Sequence, residues 1–158
     1  TFRPHNILFA EKKMDALFSK VKKKSRIFFL FNKPKSQLNK NEFNGLIRLI
    51  SLPIYCANKK EIMVFPNEHT KFIRPNFISQ NIWCDDKTKI DFMLKYYRCE
   101  YLMFFNVIDK NIQEFIEKNY KFISKIELKN IIKDPDQYFF INNLDKITIS
   151  IYKKNRLI

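Results

Sequence analysis

Residues 12–34 read KKMDALFSKVKKKSRIFFLFNKP, and the pattern changes at Ser25. Before Ser25, the residues Met14, Leu17, Phe18 and Val21 fall at i, i+3, i+4 and i+7, the apolar stripe of a 3.6-residue period. Lys13, Lys20, Lys22 and Lys23 take the opposite face, so a basic amphipathic helix is predicted over 12–24. After Ser25, IFFLF at 27–31 is an unbroken apolar run, as expected of a strand covered on both faces. Pro34 then stops the run, because it lacks an N–H and biases its predecessor towards an extended conformation. A strand that needs cover on both sides, fed by a helix, predicts an α/β fold.

The same signals recur downstream. Phe43, Leu46, Ile47 and Ile50 repeat the helical spacing over 40–50; Pro53 is expected to end that helix and residues 54–57 to form a strand. Two strands joined through a helix favour parallel pairing with a right-handed crossover. Residues 63–79, punctuated by Pro66 and Pro75, read as irregular chain or a short helix over the sheet. Asp85 and Asp86 are placed to cap a helix whose inward face is Ile90, Met93, Leu94 and Tyr97. YLMFFNV at 101–107 predicts a central strand. A helix from Asp109 then carries Ile112, Phe115 and Ile116 inward and ends before Tyr120, and 122–128 reads as a strand nearer an edge. Residues 138–141 and 147–152 are expected to pair as a hairpin around 142–145, with Ile147, Ile149 and Ile151 marking a half-buried strand. The expected fold is a mixed, mainly parallel sheet with crossover helices and a β-rich C-terminal end. It is one domain over 1–158, with 1–10 as an N-terminal extension and 129–158 as the β-rich segment.

Composition excludes several chemistries. Gly45 is the only glycine, whereas loops that bring backbone N–H groups onto a phosphate need several. Cys56, Cys84 and Cys99 form no C-x-x-C pair, and His5 and His69 are the only histidines, so neither a zinc site nor another metal or cofactor site is expected. The cysteine pattern fits a reducing, intracellular compartment. Asp85-Asp86 and Asp134-Pro135-Asp136 have the placement of helix-cap and turn residues, no serine sits in a G-x-S-x-G elbow, and Cys56 reads as core filler. An enzyme is not expected. No run of about 18 apolar residues predicts a transmembrane helix, and a chain starting at Thr1 leaves room for a targeting segment outside it.

Charge is the positive signal. Lys and Arg number 30 against 16 Asp and Glu, a net +14, which attracts polyanions. Codon bias is a competing cause. Lys, Ile, Phe and Asn make up half the chain, all four have codons built only from A and T, and Lys outnumbers Arg 24 to 6. An AT-rich genome raises lysine whatever the function, and it points to an organelle-encoded gene or an AT-rich nucleus. The clusters nevertheless concentrate in the first 60 residues. Lys12, Lys13, Lys20, Lys22, Lys33, Lys35, Lys59 and Lys60 are the candidate phosphate contacts, with Lys40 beside them. Charge runs are usually solvated faces, and it is their grouping that favours RNA. Tyr96-Tyr97 and residues 138–140 could stack on unpaired bases, although aromatics at such spacing are more often core. No RNP-type signature marks an RRM.

The run from Lys12 to Ile62, KKMDALFSKVKKKSRIFFLFNKPKSQLNKNEFNGLIRLISLPIYCANKKEI, resembles the N-terminal region of large-subunit ribosomal protein ten, the stalk-base protein. That family opens with a Lys-rich helix, enters an apolar strand, crosses through a helix bearing an arginine, and returns on a strand ending in Lys-Asn-Thr-Leu. Arg48 takes the place of the crossover arginine and Asn58 that of the asparagine. The likeness covers about residues 10–62, with the order of elements agreeing to about 128. The usual glycine after the first strand is absent, Ala57 replaces the lysine before Asn58, and Lys59-Lys60 replaces Thr-Leu. The family's long terminal helix, which recruits stalk dimers, has no counterpart in 146–158. The resemblance implies a non-catalytic domain on large-subunit ribosomal RNA beside neighbouring ribosomal proteins, with Arg48 and Asn58 joining the lysines. With the AT-rich composition, it implies a mitochondrial ribosome. The alternative is an accessory subunit of another organellar assembly, such as a respiratory complex.

Overall fold

The computed structural model describes residues 4–30, 51–65, 87–105, 110–129 and 146–155. Helix α1 (Pro4–Phe18) leads into β1 (Arg26–Leu30). Helix α2 (51–59) leads into β2 (Met63–Phe65), α3 (Lys87–Tyr96) into β3 (Tyr101–Phe105), and α4 (Lys110–Asn119) into β4 (Tyr120–Lys129). β5 (Lys146–Lys154) is the remaining strand. The expected helix over 40–50, the Asp85-Asp86 cap and the 138–145 hairpin lie outside the described residues.

The five strands form one sheet in the order β2-β1-β3-β5-β4. β1 pairs parallel with β2 and β3, while β5 is antiparallel to both β3 and β4. β5 therefore runs against the other four. This is the expected mixed α/β sheet, parallel in its β2-β1-β3 part and antiparallel in its β3-β5-β4 part. The feature that sequence order conceals is that β5 enters the interior rather than extending one end.

Alternation along the strands builds two cores. Ile27 and Phe29 of β1, Tyr101 and Met103 of β3, and Ile147, Ile149 and Ile151 of β5 face Met14, Leu17 and Phe18 of α1, together with Ile54, Cys56 and Ala57 of α2. Phe28, Leu30, Leu102, Phe104 and Tyr152 face the other way, against Ile90, Met93 and Leu94 of α3 and Ile112 and Ile116 of α4. Among the described residues, two helices lie on each face of one sheet, a three-layer arrangement. It explains why IFFL has no polar alternate. β5 was expected to be half-buried, but Ser150 and Tyr152 on its second face are also buried.

Three further expectations are corrected. Residues 63–65, read as irregular chain or a short helix, form β2, paired parallel with β1, while 66–79 lie outside the described residues. Residues 54–57 are helical, not a strand, and the chain is helical on both sides of Pro53. Pro53, Ile54, Cys56 and Ala57 are buried while Tyr55 is exposed, a helical rhythm that four residues are too few to reveal. Helix α1 starts at Pro4, inside the supposed extension, and stops at Phe18 rather than 24. Proline suits a first helical turn. At the other end, continuing the helix would stack Lys20 on Lys24 at an unfavourable i, i+4 spacing.

The end of α1 shows how closely polar groups are matched. Its last four carbonyls have no intrahelical donor. Ser19 N–H reaches Asp15 O at 3.0 Å and Ser19 Oγ reaches Ala16 O at 2.7 Å, while Val21 N–H reaches Phe18 O at 3.0 Å. Leu17 O is taken by Ser124 Oγ at 2.9 Å, from a register shift in β4 between Phe122 and Ser124. The bulge turns a buried hydroxyl towards the helix. Ser124→Ala strands the Leu17 carbonyl, at a cost of about 1–3 kcal/mol. The expected drop in thermal midpoint is about 3–8 °C, read by circular dichroism; an unchanged midpoint would refute this role for the hydroxyl.

Candidate nucleic-acid interface

α2 and α3 end in the same way. Ile62 N–H donates to Ala57 O and Glu61 N–H to Asn58 O, at 2.9 and 3.0 Å. Cys99 N–H donates to Leu94 O and Arg98 N–H to Lys95 O, at 2.8 and 3.2 Å. These are paired 6→1 and 5→2 closures, which put the C′ residue in the left-handed region. With no glycine in these turns, Glu61 takes φ 59° and Arg98 φ 55°, and Lys24 before β1 takes φ 65°. A Cβ in that region costs about 1 kcal/mol or more. Glu61→Gly and Arg98→Gly are each expected to raise stability by about 0.5–1 kcal/mol in urea denaturation, the gain being trimmed by glycine's greater unfolded-state freedom.

These turns all lie at one end of the sheet. Arg26 is in register with Met63, Ile27 with Tyr101, Tyr101 with Lys153, and Lys154 with Tyr120. The starts of β1, β2, β3 and β4 and the finish of β5 thus form one rim, roughly 19 Å wide at ordinary strand spacing. Backbone bonds tie it together: Lys24 N–H to Glu61 O at 2.9 Å, Glu100 N–H to Arg26 O at 3.2 Å, and Lys154 N–H to Glu100 O at 2.9 Å. Residues 19–25, 59–62, 97–100, 119–121 and 153–155 carry ten cations against two carboxylates, Glu61 and Glu100. The whole chain carries 30 against 16, so the rim is far more basic than composition alone provides.

Of the expected contacts, the rim holds Lys20, Lys22, Lys59 and Lys60, of which the first three are exposed. Asn58 is exposed one residue before this segment, and its carbonyl closes the α2 turn. Lys12 is exposed on α1, about 9 Å back from the helix end at 1.5 Å per residue. Lys13 is half-buried, and its ammonium donates to the Glu127 carbonyl, which ties α1 to β4. Lys33, Lys35, Lys40 and Arg48 lie outside the described residues.

Lys23, Lys24, Arg98, Lys121, Lys153 and Lys154 complete the rim and were not among the expected contacts. The available sequence signal was that cations bracket the apolar strand runs. Lys23 Nζ stands 3.9 Å from Glu61, an exposed pair that leaves its charge available. Arg26 plays a structural part: Nη1 donates to Tyr97 O at 2.9 Å and the guanidinium lies 4.9 Å from the Phe65 ring centroid. Tyr97 is packed between Phe28 and Phe65, with ring centroids 5.7 and 5.3 Å away, while Tyr96 is exposed.

Cys56 and Cys99, the two described cysteines, are buried free thiols. Burial pushes the Cys56 thiol from 9.0 up to about 11, with Lys59 opposing, and Cys99 up to about 12, with Arg26 opposing. Burial also raises Tyr120, reinforced by the hydrogen bond its hydroxyl donates to Asp91. The unfolded chain releases the thiol protons near pH 9 while the folded chain keeps them, so the folded state holds more protons above that pH. Stability is fully present below about pH 9 and falls as pH climbs towards the raised values, with Tyr120 adding to the loss above pH 10. The expected result is a thermal midpoint that declines steadily above pH 9, a decline that Cys99→Ser lessens.

Among the described residues, no group of three or more His, Cys, Asp or Glu side chains could hold a metal ion. No described helix is long and apolar enough to cross a membrane. No family model, curated protein or solved structure matches the chain.

Proposed function

We infer that this chain is a non-catalytic constituent of a ribosome, docked on large-subunit ribosomal RNA through its basic rim. The observation that carries the reading is the gathering of ten cations from five separate segments onto one end of the sheet. Lysine ammonium groups on short turns reach phosphates without reading base sequence, which suits a protein positioned by RNA shape. The resemblance of about residues 10–62 to the stalk-base family supports a contact at the stalk base, beside neighbouring ribosomal proteins. The AT-rich composition, which fits an organelle-encoded gene as well as an AT-rich nucleus, is the support for a mitochondrial particle. Besides codon bias, a second competing cause of the charge is structural, since cations at helix C-termini also complement the helix dipole.

The test is sedimentation of a mitochondrial lysate through sucrose, with and without RNase, following this chain by mass spectrometry. Co-migration with the large subunit that collapses under RNase is the expected outcome. Migration with a membrane complex, unaltered by RNase, would overturn the reading in favour of an accessory subunit of that complex.

A further inference from the structure

The outer face of α3 is unusual for a helix whose inner face is fully used. Phe92 and Tyr96, one turn apart, are 63% and 67% exposed, whereas Ile90, Met93 and Leu94 fill the core beneath. Their ring centroids are 6.1 Å apart with planes within 21° of each other. Tyr97 holds this end of the helix in place. Its ring meets Tyr96 edge-on at 5.0 Å and lies against Phe65 and Phe28 beneath. The pair is thus two near-parallel π faces on a rigid support. An aromatic pair at i, i+4 adds only a few tenths of a kcal/mol to a helix, which does not account for leaving two large rings in water.

Size and charge select the occupant. Aromatic side chains present about 150–250 Å² each, so two rings roughly two-thirds exposed offer about 250 Å². That is far below the ~800 Å² per partner of a stable protein interface, and it is the scale of one or two nucleobases. The surroundings are cationic. Residues 87–98 include Lys87, Lys89, Lys95 and Arg98 against a single carboxylate, Asp91, which accepts the Tyr120 hydroxyl bond. Lys95, three residues after Phe92 on the helix, and Arg98, two residues after Tyr96, are both exposed, and Arg98 belongs to the rim itself. A strand leaving the rim would meet the rings next.

We propose that Phe92 and Tyr96 form a stacking platform for unpaired bases of the RNA, with Lys95 and Arg98 taking the flanking phosphates. The rim grips the backbone of duplex and single strand alike. The platform serves only bases freed from pairing, because a duplex hides its π faces. This rests on the RNA-binding reading, and the experiment separates the two.

Fluorescence anisotropy of the full chain is measured with a single-stranded and a duplex RNA of equal length. Phe92→Ala and Tyr96→Ala are each expected to weaken the single strand roughly five- to hundredfold and to change the duplex less than twofold. Phe92→Trp, which keeps a π face, retains single-strand binding. Both positions are exposed, so thermal midpoints stay near that of the parent chain. Equal losses on both RNAs, or no loss on either, would overturn the platform while leaving the rim in place. A parent chain that binds neither RNA would overturn rim and platform together. Loss of co-sedimentation with the particle at unchanged RNA affinity would assign the rings to a protein neighbour and also overturn the proposal.

Discussion

Replacing Lys20, Lys22, Lys59 and Lys60 together with glutamine is expected to flatten the salt dependence of RNA affinity by about 3 to 4 units of log–log slope. Each lysine that neutralises a phosphate releases condensed counterions, and each contributes close to one unit. Between 50 and 200 mM salt, one unit is about a fourfold change, so four lysines together account for roughly a hundredfold of the parent chain's loss. The loss should be similar on RNAs of different sequence, because ammonium groups on turns read phosphates rather than bases. The structural account of the same lysines makes the opposite forecast. If they served only as partners of helix C-termini, their removal would cost a few tenths to 1 kcal/mol each in stability and leave the salt slope unchanged. Urea denaturation and anisotropy titrations on one preparation decide between them. A rim carrying ten cations repels itself, so the quadruple variant is expected to be at least as stable as its parent at low salt.

Phe28→Ala is expected to be the most damaging single substitution. Phe28 lies fully buried in β1, between β2 and β3, and its ring stacks on Tyr97. Removing it leaves a cavity and costs about 3–5 kcal/mol, a large part of the 5–15 kcal/mol that stabilises an ordinary domain. The urea midpoint should fall by on the order of 2 M at a typical denaturant slope. The loss extends beyond the cavity, because Tyr97 also packs on Phe65 and its carbonyl accepts the Arg26 bond. Phe28→Leu, which fills most of the space, is expected to keep much of the stability. A midpoint shift below 0.5 M for the alanine variant would show that the α3 side of the sheet repacks around the gap, contrary to a core held by this ring.

The parts of the fold legible in the sequence were those with long, unambiguous periods. The stripe Met14, Leu17, Phe18 and Val21 is buried as expected, and Ile112 and Ile116 turn inward from a helix that ends before Tyr120. The unbroken runs IFFL at 27–30 and YLMF at 101–104 are indeed in central strands with both faces covered. Misreadings came where a local pattern was short or a partner was distant. Residues 54–57 offered four residues for deciding between a period of 2 and one of 3.6. The true end of α1 depends on Ser124, 107 residues away, to satisfy a carbonyl. The rim was only half legible. Its lysines at 20–24 and 59–60 stand out as runs, but Arg98, Lys121, Lys153 and Lys154 join them solely through the registers of β1 with β3, β3 with β5 and β5 with β4. Spacing along a chain contains no trace of that adjacency. Tyr96 and Tyr97 stand side by side in the sequence, but neighbours on a helix point about 100° apart, and of the two Tyr96 is the one left facing water.

The place of β5 between β3 and β4 has a bearing on how the molecule is made. As residues emerge from synthesis, β1, β2 and β3 can pair among themselves, but among the described strands β4 pairs only with β5, which is made after it. Until residues 146–154 arrive, β4 can rest against α1 through Ser124 and Lys13 with no other described strand beside it in the sheet. The last described strand to be synthesised closes the middle of the sheet and therefore acts as its keystone. Such late, long-range closure is slow compared with helix or hairpin formation. The waiting edge of β4 presents Lys121, Lys125 and Lys129 at exposed positions, charges of the kind that discourage pairing with other chains in the meantime.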